Sequence, residues 1–246
     1  MHSQYRRIVP GATKAIVFVH GILGTPRHFD AFVSLVPEEI SVWNLLLDGH
    51  GKAVRDFANT SMDKWEAQVR EAVADLARTH ERIYIVAHSL GCLLSIGEAL
   101  GEPKIAGMFL LAVPLKLFLR PKMVTNSMKV YFNRVRPHDG PGMAAKRCCG
   151  IIHSRNIFLY LGWVPRFLEL FRKIRETRDL LPSLTVPCVA YQSAKDEMVS
   201  RRSAQLLRSN PHICVEELPH SGHFYYDPAD WELLLKAFSD FIRLSK

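Results

Sequence analysis

Ser89 lies in the pentapeptide Ala87-His88-Ser89-Leu90-Gly91, directly after the apolar run 83–86 and directly before a helix-like stretch, 91–100. A serine at a sharp strand-to-helix turn has its hydroxyl lifted clear of the sheet, and small flanking residues let the backbone turn so tightly. The usual residue two before such a serine is glycine; Ala87 adds one methyl group. A serine hydroxyl is a poor nucleophile at neutral pH, so it needs a base to take its proton and a carboxylate to orient that base. The later sequence offers both. Asp196 follows the apolar run 186–191, and His223 follows the run 213–218 within His220-Ser221-Gly222-His223-Phe224. Each therefore falls on a loop at the end of a predicted strand, where open α/β sheets form their ligand crevice. His220 competes with His223 and Glu197 with Asp196, and spacing leaves both choices open.

Acyl-transfer chemistry also needs two aimed donors for a developing oxyanion. The turn His20-Gly21-Ile22-Leu23-Gly24 follows the first strong apolar run, and Gly21 permits a close approach that aims the Ile22 N–H inward. The Leu90 N–H, directly after the nucleophile, supplies the second donor. No metal or organic cofactor is required.

The elements that must position these residues are legible as alternation. Apolar runs at 15–19, 42–47, 82–87, 105–112, 186–191 and 213–218 are separated by helix-length segments, which predicts an α/β fold with a mostly parallel central sheet and helices on both faces. In 62–78, Trp65, Val69, Ala72, Val73 and Leu76 share one helix face, and 231–244 repeats the pattern. The alternation breaks after Pro114 and resumes near Val186. The expected organisation is a single domain, 1–246, with an inserted helical cap at about 115–182. Trp163, Phe167, Leu170, Phe171 and Ile174 form a helical stripe in that insert. An apolar acyl pocket is expected from Leu23, Phe118, Trp163, Phe167, Met198 and Phe224, with Phe158 and Phe171 adding apolar surface.

The total charge is +8, unevenly distributed. Residues 114–180 hold fourteen Lys and Arg against four Asp and Glu, so the insert carries +10 and the rest of the chain −2. Such an excess suits an anionic substrate or transient contact with a lipid surface. No nucleic-acid module accompanies it, so nucleic acid is not expected as a partner. Five cysteines, an odd number without paired ligand spacing, read as free thiols in a reducing compartment. No run reaches the roughly eighteen apolar residues of a membrane span, and the first residues lack a signal-like core, so a cytoplasmic protein is expected. A monomer or small homo-oligomer is the expected state.

The motifs together resemble the α/β-hydrolase family, and within it small bacterial carboxylesterases and monoacylglycerol-lipase-like esterases. The marks are His20-Gly-Ile-Leu-Gly24, Asp48-Gly-His-Gly51, Ala87-His-Ser-Leu-Gly91, Ala112-Val-Pro114, Lys195-Asp-Glu-Met198 and Ser221-Gly-His223, across nearly the whole chain. Ser89, Asp196 and His223 fall in the order that this family uses. The resemblance implies the α/β-hydrolase fold, Ser89 as nucleophile, Asp196 as orienting acid, His223 as base, and Ile22 and Leu90 as oxyanion donors. The activity implied is hydrolysis of a small to medium acyl ester. A thioester, a C–C bond or a lyase step on the same triad are alternatives, as is an inactive binding protein. His50 is expected to hold its loop by hydrogen bonding rather than to take part in the chemistry.

Overall fold

The computed structural model describes residues 3–118, 121–132 and 134–244, and for 122–124, 126, 127 and 244 the backbone alone. Arg120, one of the cations counted in the insert, lies outside the described residues. Seven strands form the main sheet: β1 (Tyr5–Arg7), β2 (Lys14–Val19), β3 (Ser41–Asn44), β5 (Arg82–His88), β6 (Ile105–Leu111), β8 (Cys188–Ser193) and β9 (Ile213–Leu218). Their order is β1-β3-β2-β5-β6-β8-β9, and every pairing is parallel except β1 against β3. Two further strands, β4 (Lys52–Ala53) and β7 (Ile151–Ile152), pair with each other and join the insert to the body.

The central strands β2, β5 and β6 read as unbroken apolar runs because both of their faces are covered, whereas the edge strand β9 exposes Glu216 and Glu217. Alternate residues go to opposite sides. Ala15, Val17, Val19, Ile83, Ile85, Met108 and Leu110 enter one core, whereas Ile16, Phe18, Tyr84, Val86, Phe109 and Leu111 enter the other. The second core is closed by α1 (Asp30–Val33) and α9 (Pro228–Leu244), through Phe32, Leu234, Phe238 and Ile242. The first is closed by α2 (Val54–Ala58), α3 (Met62–Ala77) and α4 (Leu90–Ala99). On α3 the expected stripe is the buried one: Trp65, Val69, Ala72, Val73 and Leu76 all face the core, and Ser61 caps the helix by accepting from the Lys64 N–H.

Between β6 and β8 the chain carries α5 (Pro121–Tyr131), α6 (Gly140–Cys148), β7, a 3-10 turn (Ile157–Trp163) and α7 (Val164–Leu180); α8 (Arg202–Leu207) follows β8. Helix α7 lies against α3 and α4. Its Leu170 and Ile174 are buried in the core, and its Lys173 bonds Glu66 of α3 at 2.8 Å and Glu176 at 2.9 Å. The Glu169 carboxylate accepts from the Met62 N–H at 3.0 Å, so α7 is tied to α3 at two points. Phe171, expected on the inward stripe, is exposed: it projects roughly 100° around the helix from Leu170 and roughly 60° from Ile174. Among the described residues no helix is long and apolar enough to cross a membrane.

Candidate active site

Ser89 caps the N-terminus of α4 directly at the end of β5, with φ 51° and ψ −119°. A non-glycine residue in that region is strained, at a cost of about 1–3 kcal/mol, and persists only where its surroundings over-determine it. Here they do. The Ser89 N–H donates to Leu111 O at 2.9 Å, and Gly91 passes so close to β2 that a Cβ there would sit 2.1 Å from Val19 O. Gly21, just past β2, comes equally close, and a Cβ there would lie 2.9 Å from the Ser89 Cβ. Ala87 is buried within β5, between Val19 and Leu110, and its methyl group is accommodated there. Besides Ser89, positive φ among non-glycine residues falls on Leu23 (57°) and Ala112 (52°), each just past a strand that borders β5.

Asp196 and His223 meet across the loops after β8 and β9. The His223 Nδ1 and Asp196 Oδ2 are 2.8 Å apart, and both side chains are buried. The other carboxylate oxygen, Oδ1, accepts the N–H groups of Met198 and Val199, each at 2.7 Å, which fixes the carboxylate before it meets the ring. With Nδ1 engaged, Nε2 is the nitrogen left to exchange a proton. Among the described residues no hydrogen bond yet joins Ser89 Oγ to this ring; such contacts often tighten only in the substrate complex. The two competitors have other places. His220 is exposed, with its N–H bonded to Asp230 at the start of α9, and Glu197 accepts the His223 backbone N–H at 3.0 Å.

A residue with no role in the sequence reading completes this support. His88, directly before Ser89, is buried and its Nε2 bonds the His223 carbonyl oxygen at 3.0 Å. A carbonyl only accepts, so Nε2 carries the proton. Burial, with His28 and His223 nearby, holds the His88 pKa well below its ordinary value and keeps the ring neutral. Its ring lies 4.0 Å from that of His28, whose pKa burial lowers to about 3. The signal was its place inside the nucleophile pentapeptide.

Two more histidines, His50 and His20, hold the turn 20–24 against its surroundings. His50 Nε2 accepts from the Leu23 N–H at 3.1 Å, while its Nδ1 bonds Asp48 O. Burial lowers the pKa of His50 to about 4, so it stays neutral and can accept. This matches the loop-fixing role expected for it. His20 Nε2 accepts from the Leu47 N–H at 3.1 Å. The Leu23 amide is thus committed to His50. The Leu90 N–H, at the first position of α4, lacks an intrahelical partner by construction.

The expected pocket residues separate into groups. Phe224 packs edge-on against His223, with ring centroids 4.7 Å apart, and Leu23 sits in the turn 20–24 with φ 57°. Phe118 donates its N–H to Met198 O and lines a cavity of about 780 Å³ beside Lys195, Glu197 and Gly222, adjoining the Asp196 and His223 loops. Trp163 lies in the core instead, against Phe57, with its indole N–H spent on Val54 O at 3.0 Å. Phe167 is partly buried beside it.

Residues 16–237 match the model of the alpha/beta hydrolase family. The chain belongs to that family. This alpha/beta hydrolase is 22% identical over 193 residues to the thermostable monoacylglycerol lipase of Bacillus sp. (strain H-257), covering 78% of this chain and 74% of that protein. Among solved structures it is similar to one reported for the metagenome-derived lipolytic enzymes LipS and LipT, with TM-score 0.75, 19% identity, and coverage of 98% and 97% of the two chains. A monoacylglycerol lipase of Paleococcus ferrophilus superposes with TM-score 0.67 and 17% identity, covering 98% of each chain.

Proposed function

We propose that this alpha/beta hydrolase is a serine carboxylic-ester hydrolase, of carboxylesterase or monoacylglycerol-lipase type, acting on a small to medium acyl ester. The observation that carries the reading is the strained Ser89 on the β5–α4 turn, tied through His88 to the residue whose ring bonds Asp196. The lipolytic relatives point the same way.

In the proposed mechanism Ser89 Oγ attacks the ester carbonyl while His223 Nε2 takes its proton. Negative charge on the carbonyl oxygen is met by the Ile22 and Leu90 N–H groups. Collapse expels the alcohol, which receives the proton from His223, and leaves an acyl group on Ser89. Water, deprotonated by the same nitrogen, then releases the acid. Asp196 orients the ring and stabilises the imidazolium formed in each half.

Labelling with a fluorophosphonate tests the reading. Wild type should be modified at Ser89 alone, and Ser89→Ala should keep its fold by circular dichroism while losing labelling and at least a thousandfold of p-nitrophenyl butyrate turnover. Retained turnover in that variant rules out Ser89 as nucleophile. A profile over short to long acyl chains then fixes the substrate class.

A further inference from the structure

We infer that the outer face of the insert is a docking surface for a lipid bilayer bearing anionic headgroups. The observation is a second apolar stripe on α7. While Leu170 and Ile174 face the core, Val164, Leu168 and Phe171 project outward, spaced i, i+4 and i+7, and so share one helix face. The 3-10 turn before α7 extends this ridge. Phe158 is 74% exposed, Leu161 66% and Leu168 61%, and Ile157 is exposed beside them. Among the described residues, the other exposed large apolar side chains are single ones, such as Tyr5, Leu100 and Leu233, or the pair Met128 and Phe132 at the end of α5, and none of these extends over the length of this ridge. A contiguous exposed apolar ridge of this kind marks an interaction site.

The charges around the ridge select the partner. Arg155 precedes it, Arg175 continues the same helical spacing at i+11 from Val164, Arg172 adjoins it, and all three are exposed. The carboxylates of Glu169 and Glu176 are turned to Arg166, the Met62 amide and Lys173. Asp179 is the acidic residue of α7 that remains at its outer end. Apolar side chains flanked by arginines suit the boundary between anionic headgroups and acyl chains, where the apolar groups insert and the cations stay at headgroup level. Two copies of the chain meeting through this face would instead bring two segments of charge +10 together. The inference stands apart from the esterase reading, because docking is measured without turnover.

The test is co-sedimentation of the full chain with vesicles of phosphatidylcholine alone or with phosphatidylglycerol at about one third. Binding is expected to the mixed vesicles at low salt, weakening as salt rises, with little binding to phosphatidylcholine. Leu161→Ser with Leu168→Ser, and separately Arg155→Glu with Arg172→Glu, should each lower partitioning about tenfold. Circular dichroism and turnover of a soluble short-chain ester should stay at wild-type values in both. Equal binding to both vesicle types would overturn the anionic selectivity. Wild type that remains in the supernatant, or variants that partition like wild type, would overturn the docking surface. So would a dimer, seen by sedimentation velocity, that the Leu161→Ser, Leu168→Ser variant abolishes.

Discussion

The backbone of His223 is gripped on both sides: Glu197 takes its N–H, His88 its C=O, and Asp196 holds its ring. Three hydrogen bonds, two from the loop after β8 and one from the end of β5, leave the imidazole little freedom to drift, and a drift of about 1 Å at a reacting group can cost a hundredfold in rate. Replacing His88 by alanine is therefore expected to lower kcat tenfold or more with a smaller change in KM. His88→Gln, which keeps a side-chain N–H, should recover part of the loss. Because His88 is neutral, the midpoint of the acid limb of the pH–rate profile should not move in either variant; kcat, KM and that midpoint together separate positioning from misfolding. The residues proposed for the chemistry were legible because each ends an apolar run, and such runs survive translation into sequence pattern. The grip was not: the His88 bond spans 135 positions, and no local spacing encodes a contact of that range. The same holds for Asp196 against Glu197, adjacent carboxylates that only the folded loop tells apart.

Helices and strands differ in how openly they announce themselves. Strands β2, β5, β6 and β8 are buried on both faces and read as apolar runs to within two residues, whereas the edge strand β9 leaves Cys214, Glu216 and Glu217 exposed; β3 stops at Asn44, three residues short of its apolar run. Strand β1 is invisible to that logic, since Tyr5-Arg6-Arg7 has no apolar run and forms the edge of the sheet by pairing antiparallel to β3, with the Arg6 guanidinium stacked 3.9 Å above Trp43. The insert was legible as an interruption, but its outward stripe was not separable from the inward one, because Phe171 fits either face until α7 is packed. What fixes the packing is Lys173, a 5% exposed ammonium between Glu66 and Glu176. Burial opposes its charge, yet the two carboxylates outweigh that and raise its pKa above the ordinary 10.5. Lys173→Met should destabilise the protein by about 2 kcal/mol in urea unfolding, less than the 3–5 of a fully buried pair because Glu66 stays partly in water. The raised pKa sets the sign with pH. The ammonium's contribution is fully present below the unfolded lysine value and is lost as pH rises through the higher folded value. The gap between wild type and Lys173→Met should accordingly shrink above pH 10.5.

For the molecule as a whole, the buried neutral histidines make acid the weak side. His28, His50 and His88 take up protons in the unfolded chain below about 6.5, whereas in the folded chain burial delays protonation to about 4 for His50 and about 3 for His28. Stability is thus full above pH 6.5 and declines as pH falls toward those folded values, with His50 alone costing about 2 kcal/mol by pH 5. Urea midpoints at pH 7 and pH 5 should show a drop of at least that size, reduced in His50→Asn, whose amide can replace the bond to Leu23. The C-terminal edge of the sheet, where the strained turns gather, belongs to this same scale. Strands β6 and β8 are hydrogen-bonded neighbours, although the whole insert separates them along the chain. On the proposed mechanism a ribosome therefore delivers the serine long before the loops that would activate it, and a nascent chain would stay silent until its closing strands dock. A cut placed in the insert would yield two inert halves whose reassembly alone switches turnover on, which makes the topology itself a built-in sensor of complete folding.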